Sequence, residues 1–131
     1  MTEIRAPVSP GELLDKITIL RIKSQRMSGA EKLANVRLEL NTLQETWDDS
    51  PYASVNIDAE VRALHAVNER LWVIEDDIRD RERAQDFGAE FIRLARAVYV
   101  ENDERAAIKR RINLKLGSTM IEEKSYWKYK T

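Results

Sequence analysis

A helix begun in this chain has few places to stop. Its 131 residues hold four glycines and three prolines, and most of these fall where helices should begin or end. Ser9-Pro10-Gly11-Glu12 reads as a capping box, with Ser9 as N-cap, Pro10 at the first helical position and Glu12 reaching back. Ser28-Gly29-Ala30-Glu31 repeats the pattern. Helices are therefore predicted over about 10–27 and 30–47. The second carries Leu33, Val36, Leu40, Leu43 and Trp47 on one stripe and packs on one side only. Residues 48–54 form the one obvious loop, and Ile57 opens a long third helix to about 84. After a break at Asp86-Phe87-Gly88, a fourth helix covers about 88–101. Asn102-Asp103 either caps a fifth segment reaching Leu116 or lies inside one continuous helix, with Gly117 as the residue that ends it. β-branched residues sit at helical spacing and no strand is predicted. The expected fold is all-α: one domain over 1–131, a bundle of four main antiparallel helices, a fifth C-terminal segment if the fourth breaks, and a tail at about 118–131.

Composition excludes more than it identifies. Lys and Arg number 22 against 23 Asp and Glu, a net charge of -1, which argues against a generally basic nucleic-acid binder. There is no cysteine, so disulfides, thiol catalysis and cysteine metal sites are absent. His65 is the single histidine and reads as a hydrogen-bonded or surface residue. No apolar run approaches the ~20 residues of a membrane span, and no secretory signal follows Met1, so the expected compartment is the cytoplasm. Phosphate-binding loops, dinucleotide fingerprints, zinc-protease, nucleophile-elbow and EF-hand patterns are all missing.

Two helices disturb a simple bundle. In the first, Leu13, Leu14, Ile17 and Leu20 form one stripe while Ile19 and Ile22 lie roughly opposite. Such a helix is either central in the fold or shared with a second subunit. The partner expectation is a homo-oligomer, most simply a dimer, through this helix. In the third, the Ile57–Val61–Leu64 stripe runs on into Asn68, Trp72, Glu75, Arg79 and Glu82, placing polar groups beside a line that began as core. They are either an exposed Glu75–Arg79 pair or an interior polar site, and the second is the expectation taken here.

Charge is also divided along the chain. From Arg105 to Thr131 eight Lys/Arg stand against two Glu, a net +6, leaving -7 on the other 104 residues. Either the halves attract one another, or Arg105 and Lys109, sharing a helix face with Asn113, hold an anion. Glu75 and Asp76 would then hold Mg²⁺ against a bound phosphate. The tail interleaves Tyr126, Trp127 and Tyr129 with lysines, either as a stacking platform for single-stranded nucleic acid or as a strap docked on the bundle. The acidic remainder favours the strap.

The run from Val8 to Lys23 with Lys32-Leu33-Ala34-Asn35-Val36 resembles a family of small bacterial and phage proteins classed as a domain of unknown function. So do Asn68, Leu71-Trp72, Glu75-Asp76, Ile78-Arg79, Asn102-Asp103, Arg105-Ala106, Lys109, Asn113, Gly117-Ser118 and 122–126. The resemblance spans about 4–126 and implies a single all-helical domain. It brings no reaction. Two functions follow from the residues. One is a non-catalytic module for protein–protein interaction or self-association. The alternative is a small enzyme or sensor for a phosphorylated or nucleotide ligand, bound between helices by Asn68, Glu75, Arg79, Asn102, Arg105, Lys109 and Asn113. No cofactor is expected beyond Mg²⁺ under that alternative.

Overall fold

A computed structural model describes residues 2–123, 128 and 129. It contains four helices: α1 Pro10–Arg26, α2 Ala30–Asp48, α3 Asp58–Arg83 and α4 Ala89–Lys115. The described residues contain no strand. The chain folds as an all-helical bundle.

The cap of α1 forms only in part as expected. Ser9 Oγ accepts from Glu12 N at 3.2 Å, and Pro10 has no amide to satisfy. The Glu12 carboxylate does not reach back; it binds Lys109 on α4. The second capping box does not form. Gly29, with φ 99°, is the N-cap of α2 and makes no side-chain cap bond. Its left-handed backbone turns the chain sharply enough to bring α2 back along α1.

The expectation of a fifth helical segment is settled in favour of one continuous α4 through Asn102-Asp103. The reason is competition for the side chain. Asn102 Oδ1 accepts from the Arg105 guanidinium at 2.6 Å instead of capping a backbone amide. At the end of α4, Gly117 adopts φ 68°. Gly117 N bonds to Leu114 O at 3.2 Å and Ser118 N to Asn113 O at 2.9 Å, the paired bonds of a Schellman motif. α3 ends with the same pair of bonds around Gln85, whose φ is 56°.

α1 is the central helix. It packs on α2, α3 and α4, α3 and α4 pack on each other, and α2 packs on α1 alone. Glu60 pairs with Lys115, Asn68 with Arg105 and Arg70 with Glu101, so α3 and α4 run antiparallel. The core joins Leu14, Ile57, Leu64, Val67, Ile108 and Ile112, with Trp47 packed against it. Ile22 is 1% exposed within its own chain, while Ile19 is half-buried. Tyr99 and Tyr129 meet edge to face at 5.2 Å, which brings residue 129 back to α4. Tyr126 and Trp127, the other aromatic anchors expected of the tail, lie outside the described residues.

Candidate ligand-binding site

The apolar face of α1 is interrupted by Asp15 and Thr18, three residues apart and therefore neighbours on the helix. Both are buried, Thr18 completely. A buried carboxylate and hydroxyl need partners, and α3 supplies one for both. Asn68 Nδ2 donates to Asp15 Oδ1 and to Thr18 Oγ1, each at 2.9 Å. Thr18 Oγ1 donates in turn to Asp15 O at 2.8 Å. The opposite end of the Asn68 amide, Oδ1, accepts from Arg105 of α4 at 3.3 Å. Asn68 thus stands between a buried anion and a cation, presenting the appropriate dipole end to each.

Lys109 lies one turn along α4 from Arg105 and is spent differently. Its ammonium, 11% exposed, sits 2.6 Å from Glu12 Oε2, 3.2 Å from Glu122 Oε2 and 3.7 Å from Asp15 Oδ2. Burial alone would lower its pKa, but the hydrogen bond to Glu12 and the charges of Asp15 and Glu12 more than offset this and hold it above the ordinary value. Lys109 is a cross-link with its charge neutralised. Asn113, one turn further, is also structural: its Oδ1 accepts from Gly11 N at 2.7 Å.

Arg105 makes no ion pair among the described residues. Its guanidinium is held by two neutral amide oxygens, Asn68 Oδ1 and Asn102 Oδ1. Asn102 and Arg105 also form the wall shared by two surface grooves. The first, of about 440 Å³, is lined by Ile19, Leu71 and Trp72 and by Asn68, Glu75, Asp76 and Arg79. The second, of about 450 Å³, lies along α4 from Val98 to Lys109 and is bordered by Glu122.

The expectation that Glu75 and Arg79 form an interior pair is corrected. They do pair, but their side chains are 43% and 66% exposed on the rim of the first groove. α3 runs 26 residues against 17 for α1, and beyond Leu71 no residue of α3 is buried. Past that point the polar members of the stripe that began as core line an open groove, with Ile19 of α1 also in its wall, and meet solvent. Asp76, also on the rim, is exposed, and its side chain has no hydrogen bond or ion pair among the described residues. Glu75 and Asp76 are neighbours in sequence, the first engaged by Arg79. Among the described residues no group of three or more His, Cys, Asp or Glu side chains gathers to hold a metal ion.

Of the residues expected at a site, Asn68, Asn102 and Arg105 therefore converge directly, Glu75, Asp76 and Arg79 join them along one groove, and Lys109 and Asn113 fasten α4 to α1. Asp15 and Thr18 were not expected there. Their signal was a polar pair at i, i+3 inside the apolar face of α1, hidden because Leu13, Leu14 and Ile17 dominate that stretch. Basic residues of the C-terminal third do reach acids elsewhere, with Lys115 bound to Glu60 as well as Lys109 to Glu12.

The chain belongs to a family of unknown function, DUF6165, whose pattern matches residues 4–130. Neither the curated proteins nor the solved structures include a match to it.

Proposed function

We propose that this chain is a binding module for a small anionic ligand, phosphorylated or nucleotide in class, seated against Arg105 in the groove between α1, α3 and α4. One observation carries the reading: the Arg105 guanidinium is oriented by two amide oxygens and has no carboxylate partner among the described residues, at the edge of a groove large enough for a small molecule. A cation fixed by neutral acceptors keeps its charge for an incoming anion, and its planar fork suits phosphate or carboxylate oxygens. Asn102 and Asn68 hold it in place, and the apolar wall of Ile19, Leu71 and Trp72 offers a surface for the rest of the ligand.

Self-association is the second reading. Exposed apolar side chains on α3 and α4, Val73, Ile92 and Val100, support it. Ile22 lends it little, because its own chain covers it. A thermal-shift series tests the first reading, with inorganic phosphate, alkyl phosphates, sugar phosphates and nucleotides, each with and without Mg²⁺. A ligand that binds only the folded chain raises its melting temperature. The expected result is a shift with phosphate-bearing compounds that Arg105→Gln removes. No shift in the parent protein, or an equal one in the variant, rejects it.

A further inference from the structure

The first groove has opposite charges at its two ends. Arg105 meets α3 at the level of Asn68. Glu75 and Asp76 follow seven and eight residues later on the same helix and line the same groove. At 1.5 Å per residue the two ends lie about 10–12 Å apart along the helix axis. Trp72 lies between them in sequence and also lines the groove. The acids are not equivalent. Arg79 occupies Glu75, whereas Asp76 is exposed and its side chain has no partner among the described residues.

From this arrangement we infer that the ligand is an amphoteric small molecule: an anionic head for Arg105 and, some 10 Å away, an ammonium group for Asp76, with the intervening chain lying over Trp72. The inference rests on the anion reading of Arg105 and adds the far end of the ligand. The chemistry of each contact is ordinary. A primary ammonium brings three donors to a carboxylate, and a cation beside an indole gains from the ring's quadrupole. A purely anionic ligand of the same length would instead bring its far end to a cluster of Glu75, Asp76 and Arg79 whose net charge is -1, with Arg79 already taken by Glu75.

The test uses two probes that differ in one group, hexyl phosphate and 6-aminohexyl phosphate, titrated by calorimetry into the full chain and into its Asp76→Asn and Arg105→Gln variants. Asp76 is an exposed helix position, so its amide variant keeps the fold. The parent protein should bind the amino probe about five- to tenfold more tightly, the sum of one exposed ion pair and one cation–π contact. Asp76→Asn should erase that preference while leaving hexyl phosphate affinity unchanged. Arg105→Gln should weaken both probes. Equal affinity for the two probes, or a preference that survives Asp76→Asn, overturns the amphoteric inference and leaves the anion site standing. Failure of both probes to bind, or binding of both that Arg105→Gln does not weaken, overturns the anion site and the inference together.

Discussion

Asn113 Oδ1, near the end of α4, accepts a hydrogen bond from Gly11 N in the first turn of α1 at 2.7 Å, across 102 positions of chain. The first turn of a helix leaves amides without intrahelical acceptors. Here Pro10 has none to satisfy, Glu12 N bonds to Ser9 Oγ, and Gly11 N is satisfied by the other end of the fold. The approach is close enough that a Cβ on Gly11 would lie 2.7 Å from Lys109 O and 3.0 Å from Asn113 Oδ1.

Gly11→Ala should therefore destabilise the protein by about 1–3 kcal/mol through overpacking against backbone. The same change inside an ordinary helix stabilises by about 0.5–1 kcal/mol, so the sign is diagnostic. Asn113→Ala, which leaves a buried amide unsatisfied, should cost about 1–3 kcal/mol. Chemical denaturation measures both. An Ala at position 11 that stabilises the chain would contradict the contact.

Asn68→Ala removes the one side-chain partner that Thr18 has on another helix among the described residues and takes a donor from the Asp15 carboxylate. A loss on the order of 2–3 kcal/mol is expected, larger than for a surface amide, because both groups are buried. A change under about 0.5 kcal/mol in urea unfolding would mean that water replaces the amide without difficulty.

Glu75 and Arg79 should behave as an exposed i, i+4 pair. Replacing both by Ala is expected to change stability by about 0.5 kcal/mol or less, with a coupling of a few tenths. A double-mutant cycle that returned a coupling of about 3 kcal/mol would place them in a buried pair after all.

Stability should respond to acid through Glu60. Its hydrogen bond from Lys115, followed by a backbone hydrogen bond, holds its carboxyl below the ordinary 4.5, against a smaller opposing effect of burial. A depressed folded-state pKa means that the contribution is complete above about pH 4.5 and disappears as pH falls through the folded value. Glu60→Gln should flatten the acid limb of a melting-temperature profile across the carboxyl range, about pH 3–6. Lys109 gives the mirror image: its raised pKa makes a contribution that is complete below 10.5 and lost as pH rises above it. An acid limb unchanged in Glu60→Gln would remove this pair from the account.

The helices were legible because their signals are local. Ser9-Pro10 starts α1, Gly117 ends α4, and the apolar repeats of α3 and α4 state which face turns inward. Where two local signals competed, neighbours decided. Ser28-Gly29-Ala30-Glu31 has the spelling of a capping box, yet the turn uses Gly29's left-handed backbone. Asn102-Asp103 has the spelling of a helix start, yet Arg105 claims the asparagine.

The site divides along the same line. Helical phase on α3 alone singled out Asn68, Glu75 and Arg79, and the basic residues of α4 singled out Arg105 and Lys109. Phase describes a face of one helix; it says nothing about how far the opposing helix extends. That Asn68 is buried between α1 and α4 while Glu75, two turns on, is left open to solvent is a property of three helices packed together. In the same way, Arg105 and Lys109 are alike in charge and spacing, and only packing separates them. Glu12, Asp15 and Glu122 close around the lysine, while two asparagine oxygens leave the arginine its charge. Sequence set the elements and their polar faces, because those depend on neighbours within a few turns. Which charge is neutralised and which is kept was decided by partners brought from as far as 97 positions away.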